Sequence, residues 1–589
     1  MGLADGAAQG PLQGLAESVT AAAAAVRGGA GPLTAQIRLE RPKHAGLGDY
    51  STNAAMLLAP ALQLAPRVIA ERIGSELEQL LNGDLERWEV AGPGFLNLVL
   101  SDAWHRRALA GMLAAGNSFG GGGAGEASER ILIEFVSANP TGPLVAASGR
   151  HAAYGDALAR ILEFHGHSVA REYYFNDAGG QIRLLGESVR ARALGQPVPE
   201  GGYQGEYVAD LAASIDGAAE RSGEELAGVA VERLLLQIEA TLERYRVHYD
   251  SFFSERTLHL GSPSALERVL TALEASDHVY RSEGAVWLRT TTFGDDKDRV
   301  VVRSSGEPTY LAGDLAYLQN KRERGFDRQL MPVGSDHHAY ARTLKAAMAA
   351  LGGDPDQVEV PILQFVHLVE AGQTFAMSKR RGDFVTLDDL LDEIGVDATR
   401  FFMLRSSHDR TLELDVELAR RQSRENPVYY VQYAHARIAS MLRRLQPERV
   451  ADALGRGAGW VAAGGAFGGA HPGGGELGSG EPGGAKPERG AAGGRDGSIE
   501  LHEAERELIK KLASFPAEVV EAAARRAPHR IAGYALELAQ QFTTFYENCH
   551  VIGATPEPVE SFRIALSVAA QRVIAVALGL LGVSAPDAM

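Results

Sequence analysis

The stretch Ile131–Leu162, "ILIEFVSANPTGPLVAASGRHAAYGDALARIL", decides the fold of this 589-residue chain. A short apolar, β-branched run is followed by a Pro/Gly loop and then by apolar residues at helical spacing. The spacing predicts a helix that begins near Ser148, a residue type favoured at the N-cap, and stops at Gly166. Such a strand–loop–helix unit aims backbone N–H groups at the space above a sheet, where nucleotide phosphates bind. By itself the unit can equally be a plain connection between elements.

The composition is that of a soluble globular protein. Hydrophobic residues make up 45% and charged residues 23% of the chain, and 589 residues require more than one core. The net charge of −17 argues against non-specific nucleic-acid binding, although local basic faces remain compatible with a nucleic-acid partner. One cysteine, Cys549, excludes an internal disulfide framework and fits a cytoplasmic location. We find no continuous apolar run long enough for a membrane span and no secretory signal, so no membrane association is expected.

Two glycine-rich segments divide the chain. The first, 114–130, is predicted to be a flexible linker between an N-terminal domain, 1–113, and an α/β domain, 131–394. In this α/β domain, β-branched runs alternate with helical stretches, which predicts a mainly parallel sheet. The residues from 395 to 589 are helix-like and predict an all-α bundle. A second Gly-rich segment, about 453–498, is predicted to be a disordered insertion in that bundle.

Three further stretches of the α/β domain carry chemistry-bearing side chains. In "MSKR", 377–380, the lysine and arginine suit closure over nucleotide phosphates, although a solvated basic loop explains them too. In "GEPTYLAGDLAYL", 306–318, Tyr310 and Asp314 share one helix face and can clasp a guanidinium, or they form a plain surface pair. In "PVGSDHH", 332–338, Asp336 follows a strand and suits a ribose hydroxyl. A metal at the His pair is the weaker interpretation, because no third ligand is evident.

These stretches, in this order, resemble bacterial arginyl-tRNA synthetases of class I over nearly the whole chain. "ERPKHAGLGDYSTNAAM" (40–56) and "VAGPGFLNLVL" (90–100) look like the family's N-terminal domain. "EFVSANPTGPL", "REYYFNDAGGQI" and "MSKRRGDFVTLDDLL" look like its catalytic core, and "ENPVYYVQYAHARI" and "PHRIAGYALELAQQF" like its helical domain. The resemblance implies an N-terminal α+β domain, a Rossmann-like catalytic domain and an α-helical anticodon-binding domain. The implied activity is arginine–tRNA ligase, with tRNA(Arg), L-arginine and ATP as partners, in a cytoplasmic monomer.

The chain departs from the family's two signatures. His-x-Gly-His is expected after "SANPTGPL", but the chain has Val145-Ala146-Ala147-Ser148, and Ala376 replaces the first lysine of Lys-Met-Ser-Lys. Losing one preorganised phosphate donor typically costs about 10²–10³ in rate. We therefore predict relocated phosphate contacts: backbone N–H groups at the helix start, the Ser148 hydroxyl, and Arg150 or His151. A catalytically impaired tRNA-binding paralogue is the alternative, and a synthetase for another amino acid a third.

The resemblance implies a role for each site residue. The expected catalytic set is Lys379, Ser378, Arg380, Ser148 and His151. The expected arginine-binding set is Glu134, Ser137, Asn139, Tyr310 and Asp314, with the first three at the amino and carboxylate end and the last two at the guanidinium. The expected ATP-binding set is Pro140, Gly142, Gly149, Gly334, Asp336, His338 and Met377. ATP is expected with Mg²⁺ held by its phosphates, without a protein-bound metal, and arginine activation is expected to require bound tRNA.

The expected tRNA contacts lie in the first and last domains. They are Arg437, Arg530, Tyr534 and Asn53, with Arg443, Arg444, Arg525 and Arg526 in the same basic clusters and Arg41, Lys43 and Tyr50 beside Asn53. Arginine clusters suit a phosphate backbone, and Tyr534 suits stacking on an unpaired base. A solvated helix face explains the clusters equally well, and the helical spacing of Tyr534 also fits core packing.

Overall fold

The computed structural model describes residues 10–28, 37–42, 46–370, 373–374, 385–462 and 499–589. The N-terminal part is an antiparallel sheet covered by helices, as the α+β expectation requires. The strand order in that sheet is β1-β2-β4-β3. In chain order the elements are α1 (Pro11–Arg27), β1 (Leu39–Glu40), β2 (Tyr50–Thr52), α2 (Ala54–Leu62), α3 (Pro66–Leu81), β3 (Leu85–Ala91), β4 (Phe95–Leu100) and α4 (Asp102–Ala115).

The centre of the α/β part is a parallel five-stranded sheet of order β13-β11-β5-β6-β7. Its first half consists of β5 (Arg130–Glu134), α5 (Ser148–His165), β6 (Ser168–Phe175), α6 (Gly180–Ala193), α7 (Glu206–Ser214), α8 (Gly223–Arg244), β7 (Ser251–Ser254), α9 (Ala265–Ala275), β8 (Val279–Ser282), β9 (Ala285–Leu288) and β10 (Arg299–Val302). Strands β8, β9 and β10 form a separate antiparallel sheet inserted in this part.

The second half completes the parallel sheet and adds two small ones, β12-β14 and β16-β15-β17. Its elements are α10 (Tyr310–Glu323), β11 (Arg328–Leu330), β12 (Val333–Gly334), α11 (Tyr340–Ala350), β13 (Val358–Glu359), β14 (Ile362–Leu363), β15 (Val366–Glu370), β16 (Gln373–Thr374), α12 (Leu387–Leu404), β17 (Leu412–Asp415) and α13 (Val416–Arg420). The Rossmann-like parallel sheet predicted from sequence is confirmed.

The C-terminal part is a helical bundle, as predicted. It consists of α14 (Pro427–Leu442), α15 (Pro447–Ala462), α16 (Glu503–Ala513), α17 (Phe515–Ala524), α18 (His529–Asn548) and α19 (Glu557–Leu580). Helix α19 is long and apolar enough to cross a membrane, but 67% of its most apolar window is buried in the protein, as in the core helix of a bundle. Cys549 is buried just after α18, and burial raises the pKa of its thiol to about 11.

Two sequence-based boundaries need correction. Helix α15 continues through 453–462, so the first ten residues of the predicted disordered insertion are helical, and 463–498 lie outside the described residues. The predicted boundary at 394/395 falls on Gly395, whose φ of 78° interrupts α12. Strand β17 follows it and pairs in parallel with β15, so the chain is not yet all-helical there.

The glycine-rich segment 114–130 is not the flexible linker that its composition predicted. The backbone N–H of Gly122 donates to the Phe164 carbonyl at the end of α5, at 2.9 Å. A β-carbon at Gly120 would lie 2.8 Å from the Phe515 ring of the helical bundle. Glycine is therefore needed in this segment for close packing against both the α/β part and the bundle, a use that composition alone does not reveal.

The bundle also contacts the α/β part through one arginine. Arg526, after α17, forms a two-pronged ion pair with Glu359 of β13, at 2.8 and 2.9 Å. Its backbone carbonyl accepts a hydrogen bond from the Tyr154 hydroxyl of α5 at 2.8 Å. These contacts fix the bundle against the helix that begins at the degenerate signature.

Gly155 of α5 allows this helix to pack on the sheet, because a β-carbon there would lie 2.2 Å from the Phe135 ring. Gly155→Ala is expected to destabilise the protein by about 1–3 kcal/mol through overpacking. Gly533→Ala is the matched control, because Gly533 is an exposed helical glycine with open space around it. The control should stabilise by up to about 1 kcal/mol. Thermal unfolding measures both changes, and equal effects of the two substitutions would contradict this packing.

Candidate active site

A cavity of about 590 Å³ opens at the carboxyl ends of β5 and β6, where open α/β sheets bind their ligands. Two carboxylates from different elements face it: Glu134 at the end of β5 and Asp314 on α10. Tyr310 begins α10, is 72% exposed and lines the same cavity. The remaining lining residues come from β6, β10, α10, α11 and neighbouring loops: Tyr174, Arg299, Val300, Arg303, Thr309, Leu311, Tyr317, Leu318, Met331, Val333, His337, Tyr340, Thr343 and Leu344.

The Asp314 carboxylate is partly buried and accepts a hydrogen bond from the Tyr340 hydroxyl. Burial raises the pKa of Asp314 from its usual value to about 6, and the nearby Glu134 adds to the rise. The hydrogen bond from Tyr340 and the charge of Lys321 act in the opposite direction. Asp314 is therefore mostly ionised at neutral pH, and it forms no direct ion pair with the lysines and arginines that the structure describes. A cationic ligand is what such a carboxylate binds best.

Glu134 is fixed on both oxygens. Lys321 Nζ on α10 lies 2.6 Å from its Oε2, and the Ser137 hydroxyl donates to its Oε1 at 3.1 Å. The chain reverses between Glu134 and Ser137 in a tight turn, with Val136 at φ 67° and the Ser137 N–H donating to the Phe135 carbonyl at 2.9 Å. A β-branched residue with positive φ is strained, and such strain concentrates at functional sites.

Two tyrosine hydroxyls hold this strained turn. Tyr173 of β6 donates to the Ala138 carbonyl at 2.8 Å, and Tyr249 donates to the Phe135 carbonyl at 3.1 Å. Asn139, the next predicted arginine contact, donates instead to Gln181 of α6 at 2.8 Å. The structure thus places Glu134, Tyr310 and Asp314 on one cavity and Ser137 behind Glu134, while Asn139 is directed to α6.

The start of α5 does not offer the free backbone N–H groups that were predicted. Ser148 is its first residue, not its N-cap, which is Ala147 with no side-chain cap. Four amides around this turn already donate to protein carbonyls: Ala146 to Val385, Ser148 to Val145, Gly149 to Ala146 and Arg150 to Ala147. The bridge between Val145 and Thr386, before α12, holds this turn closed.

Gly149 and Arg150 likewise serve the fold. A β-carbon at Gly149 would lie 2.9 Å from the Leu387 side chain. Glycine is therefore needed at this position for the packing of α12, and not for the approach of a phosphate as predicted. Arg150 is 1% exposed and donates to the backbone carbonyls of Gln364 and Ser407 at 2.7 and 2.9 Å. Its predicted reach towards phosphate is wrong, because the guanidinium is buried and committed.

His151 is the remaining predicted phosphate contact in the first turn of α5. It is partly buried, and its surroundings include the Pro332 backbone and the Asp336 carboxylate, just before and after β12. Burial, then the charge of Arg150, lowers the pKa of His151 to about 4, against the opposing effects of Asp336 and the Pro332 backbone. The imidazole is therefore neutral at physiological pH, and its single N–H donates to the Pro332 carbonyl.

The predicted ATP contacts divide into two groups. Gly334 ends β12, and Asp336 and His338 are exposed beside it, at the carboxyl end of a parallel strand pair. Pro140 and Gly142 are buried, and a β-carbon at Gly142 would lie 3.1 Å from the Tyr207 ring. The Tyr207 hydroxyl also donates to the Thr141 carbonyl at 2.8 Å. The predicted direct contact between the nucleotide and Gly142 is wrong, because Tyr207 covers Gly142. Met377, Ser378, Lys379 and Arg380 lie outside the described residues.

The predicted tRNA contacts also need revision. Tyr534 is 2% exposed, packs against Phe515 and donates to the Lys511 carbonyl at 3.0 Å, so its predicted base stacking is wrong. Arg530 pairs with Glu518 at 2.8 Å, and Arg437 lies over the Tyr546 ring at 4.2 Å. The basic clusters are therefore largely compensated inside the bundle, as amphipathic helices often are.

Other members of the predicted clusters are engaged as well. Arg525 pairs with Glu521 at 2.6 Å, and Arg443 donates to the Asp587 carbonyl at 2.9 Å. Near the N-terminus, Tyr50 is buried and its predicted contact with tRNA is wrong, and Lys43 lies outside the described residues. Asn53 accepts from the Arg38 N–H at 3.0 Å and lines a second cavity, of about 510 Å³, with Arg41.

The sequence matches known families in three places. Residues 13–100 match the arginyl tRNA synthetase N terminal domain, 218–423 match the tRNA synthetases class I (R) catalytic domain, and 486–589 match the DALR anticodon binding domain. An arginine–tRNA ligase of Frankia alni is 42% identical over 94% of this chain and 95% of its own. One of Desulforamulus reducens is 40% identical over 94% of each chain.

The chain belongs to the class I arginyl-tRNA synthetase family. The resemblance inferred from the sequence motifs is thereby confirmed. The arginyl-tRNA synthetase of Thermus thermophilus has the same fold, with a TM-score of 0.70 and 22% identity over 98% of this chain and 99% of that chain. In the present chain, the residues that match the family's catalytic domain begin at 218, which lies after the degenerate signature at 145–148.

Sequence reasoning missed the residues that complete the cavity. Tyr317 and Lys321 lie on the same face of α10 as Tyr310 and Asp314. Following the helical spacing for two turns beyond Asp314 would have identified both residues. Tyr340 comes from α11, and no local pattern links it to Asp314.

Asp314→Asn is expected to stabilise the unliganded protein. A carboxyl whose pKa is raised from 3.8 to about 6 in the folded state destabilises the fold above its unfolded pKa, by up to about 3 kcal/mol above pH 6. The gain from the substitution should be roughly half as large at pH 5, since less of the penalty is present there. Thermal unfolding at pH 7.5 and pH 5 measures it. A loss of stability at pH 7.5 would contradict the electrostatic account of the cavity.

Proposed function

We propose that this chain is an arginine–tRNA ligase that acts in the cytoplasm. The carboxylate of L-arginine attacks the α-phosphate of ATP, pyrophosphate leaves, and arginyl-adenylate forms. A ribose hydroxyl at the 3′ end of tRNA(Arg) then attacks the adenylate carbonyl, and AMP leaves. Neither step needs a covalent enzyme intermediate, so the protein contributes by positioning the reactants and neutralising charge.

The observation that carries this proposal is the convergence of Glu134 and Asp314 on one cavity at the carboxyl end of the parallel sheet. Arginine has two cationic groups, the α-amino group and the guanidinium, separated by the length of its side chain. We propose that Glu134, on the strand edge, binds the amino end and that Asp314 with Tyr310 binds the guanidinium; their place on one cavity supports this. A buried carboxylate rejects a neutral side chain strongly, because it would be left without a partner.

The phosphate contacts follow from what the start of α5 still offers. In this proposal the neutral imidazole of His151 turns its N–H from the Pro332 carbonyl to a phosphate oxygen, and Ser148, partly buried in the first turn, supplies a hydroxyl. Asp336, beyond the end of β12, is proposed to bind the ribose. Lys379 is assigned to the transition state by family resemblance. Mg²⁺ enters with ATP, held by the phosphates.

The tRNA is proposed to contact the N-terminal cavity at Asn53 and the helical bundle near Arg437. The stacked pair Tyr429–Tyr433 of α14, with rings 6.3 Å apart and Tyr433 exposed, replaces the buried Tyr534 as the aromatic candidate for an unpaired base. The chain is proposed to work as a monomer.

The test of the activity is aminoacylation of total tRNA by the purified protein with radiolabelled amino acids. Arginine should be attached in an ATP-dependent reaction, and citrulline, its neutral isostere, should be rejected by at least about 10³-fold because Asp314 would be left unpaired. ATP–pyrophosphate exchange with arginine is expected only when tRNA is present. Binding of tRNA without any charging would instead identify a catalytically impaired paralogue.

His151→Gln is expected to lower the aminoacylation rate by about 10²-fold, the usual cost of a lost phosphate donor. Because His151 is uncharged above its pKa of about 4, the ratio of parent to variant rates should be constant from pH 6 to pH 9. His167→Gln, at the other end of α5, is the control and should keep the parent rate. A His151→Gln variant as fast as the parent would contradict relocation of the phosphate contacts to this residue.

A further inference from the structure

Lys321 is a buried cation beside the cavity. Its side chain is 0% exposed, and its ammonium lies 2.6 Å from Glu134 Oε2. The other neighbours of Nζ are the Tyr317 ring, at 3.9 Å from its centroid, and the Met331 sulfur at 3.3 Å. Burying an ammonium group is costly unless a carboxylate compensates it, and here that carboxylate is one that faces the cavity.

The cavity contains two carboxylates, and the charge of Glu134 opposes the ionisation of Asp314. Glu134 raises the pKa of Asp314, after burial, and Lys321 lowers it. The charged and titratable groups facing this pair come from every element packed around it: Tyr174 and Glu172 of β6, Tyr249, Glu255, Arg299 of β10, Arg303, Tyr310 and Tyr317 of α10, Arg324, His337 and Tyr340 of α11. Glu172 is itself compensated by Arg324 at 2.6 and 2.8 Å, so it adds little net charge.

Lys321 does not contribute to the cavity lining; it contacts Glu134 from behind. The Ser137 hydroxyl holds the other carboxylate oxygen, so the orientation of Glu134 is set from two sides. Arginine as bound carries two positive groups and one carboxylate. The two carboxylates complement the two positive groups, and the Lys321 ammonium limits the excess negative charge. The two arginines of the lining are paired with other carboxylates, Arg299 with Asp295 at 2.9 Å and Arg303 with Glu307 at 3.6 Å.

We propose that Lys321 is a positioning residue for arginine: its ammonium pairs with Glu134, holds that carboxylate in the orientation that faces the cavity, and offsets one of the two negative charges there. This inference rests on the proposed function. It predicts that arginine affinity depends on Lys321 through protonation of the cavity, and not only through packing. A carboxylate that loses its cationic partner in a buried site takes up a proton more readily.

The test is Lys321→Met, which keeps the length and apolar stem of the side chain. Aminoacylation kinetics are measured from pH 6 to pH 9 at saturating tRNA and ATP. The KM for arginine should rise about 10- to 100-fold at pH 6.5 and return to within about fivefold of the parent at pH 8.5. The KM for ATP should stay within about twofold at all pH values. An equal loss of arginine affinity at every pH, or an equal rise in the KM for ATP, would overturn the proposal.

Arg328→Met is the matched control. Arg328 bridges Glu129 and Glu359, at 2.6 and 2.7 Å, at the amino end of the same sheet and away from the cavity. The substitution removes a partly buried cation and should lower the melting temperature while leaving the pH profile for arginine unchanged. If the control shifts this profile in the way that Lys321→Met does, the effect is one of general destabilisation and the proposal fails.

A double variant keeps the proposal testable if Lys321→Met does not fold. Glu134→Gln/Lys321→Met removes both charges and leaves no unpaired ion from this pair in the core. If Lys321 acts only through Glu134, the double variant and Glu134→Gln should have the same KM for arginine within about threefold. A KM more than about tenfold higher in the double variant would overturn the proposal. A parent protein that fails to charge tRNA with arginine would instead refute the proposed function.

Discussion

The packing of one face of α10 against the carboxyl ends of β5 and β6 is the constraint on which the site depends. Tyr310, Asp314, Tyr317 and Lys321 lie on that face. The first three line the cavity, Tyr317 also donates to the buried Glu172, and Lys321 pairs with Glu134. A rotation of α10 by one residue, about 100°, would move all four off the sheet edge together. The ion pair of Lys321 and the hydrogen bond of Tyr317 oppose such a rotation.

The local geometry at the degenerate signature excludes phosphate binding by backbone amides but leaves a nearby side chain as a candidate. Val145 and Ser148 occupy the positions of the family's two histidines, and the turn between them is held by backbone hydrogen bonds and by the bridge to Thr386. Phosphate can therefore not be held there by a row of free amides. His151, one turn later and close to Asp336, is the side chain that the structure leaves on that side of the helix.

Periodicity and motif order were sufficient to predict the architecture, because a parallel sheet and an amphipathic helix are encoded locally. They also placed Tyr310 and Asp314 together, because both lie on one helix. Contacts between distant elements were not predictable in this way: the Tyr340 hydroxyl reaches Asp314 from α11, and Gly149 is small because Leu387 packs on it. Composition gave a wrong prediction of a flexible linker for 114–130, where the glycines permit close packing. The burial of Tyr534 is determined only by the assembled bundle. The lysine loop at 377–380 lies outside the described residues.

The most direct measurement of the central claim is a crystal structure of the protein with L-arginine, a non-hydrolysable ATP analogue and tRNA. We expect guanidinium density within hydrogen-bonding distance of the Asp314 carboxylate, about 2.7–3.2 Å, and the α-amino group beside Glu134. Arginine bound elsewhere, or with its guanidinium turned away from Asp314, would contradict the assignment of this cavity.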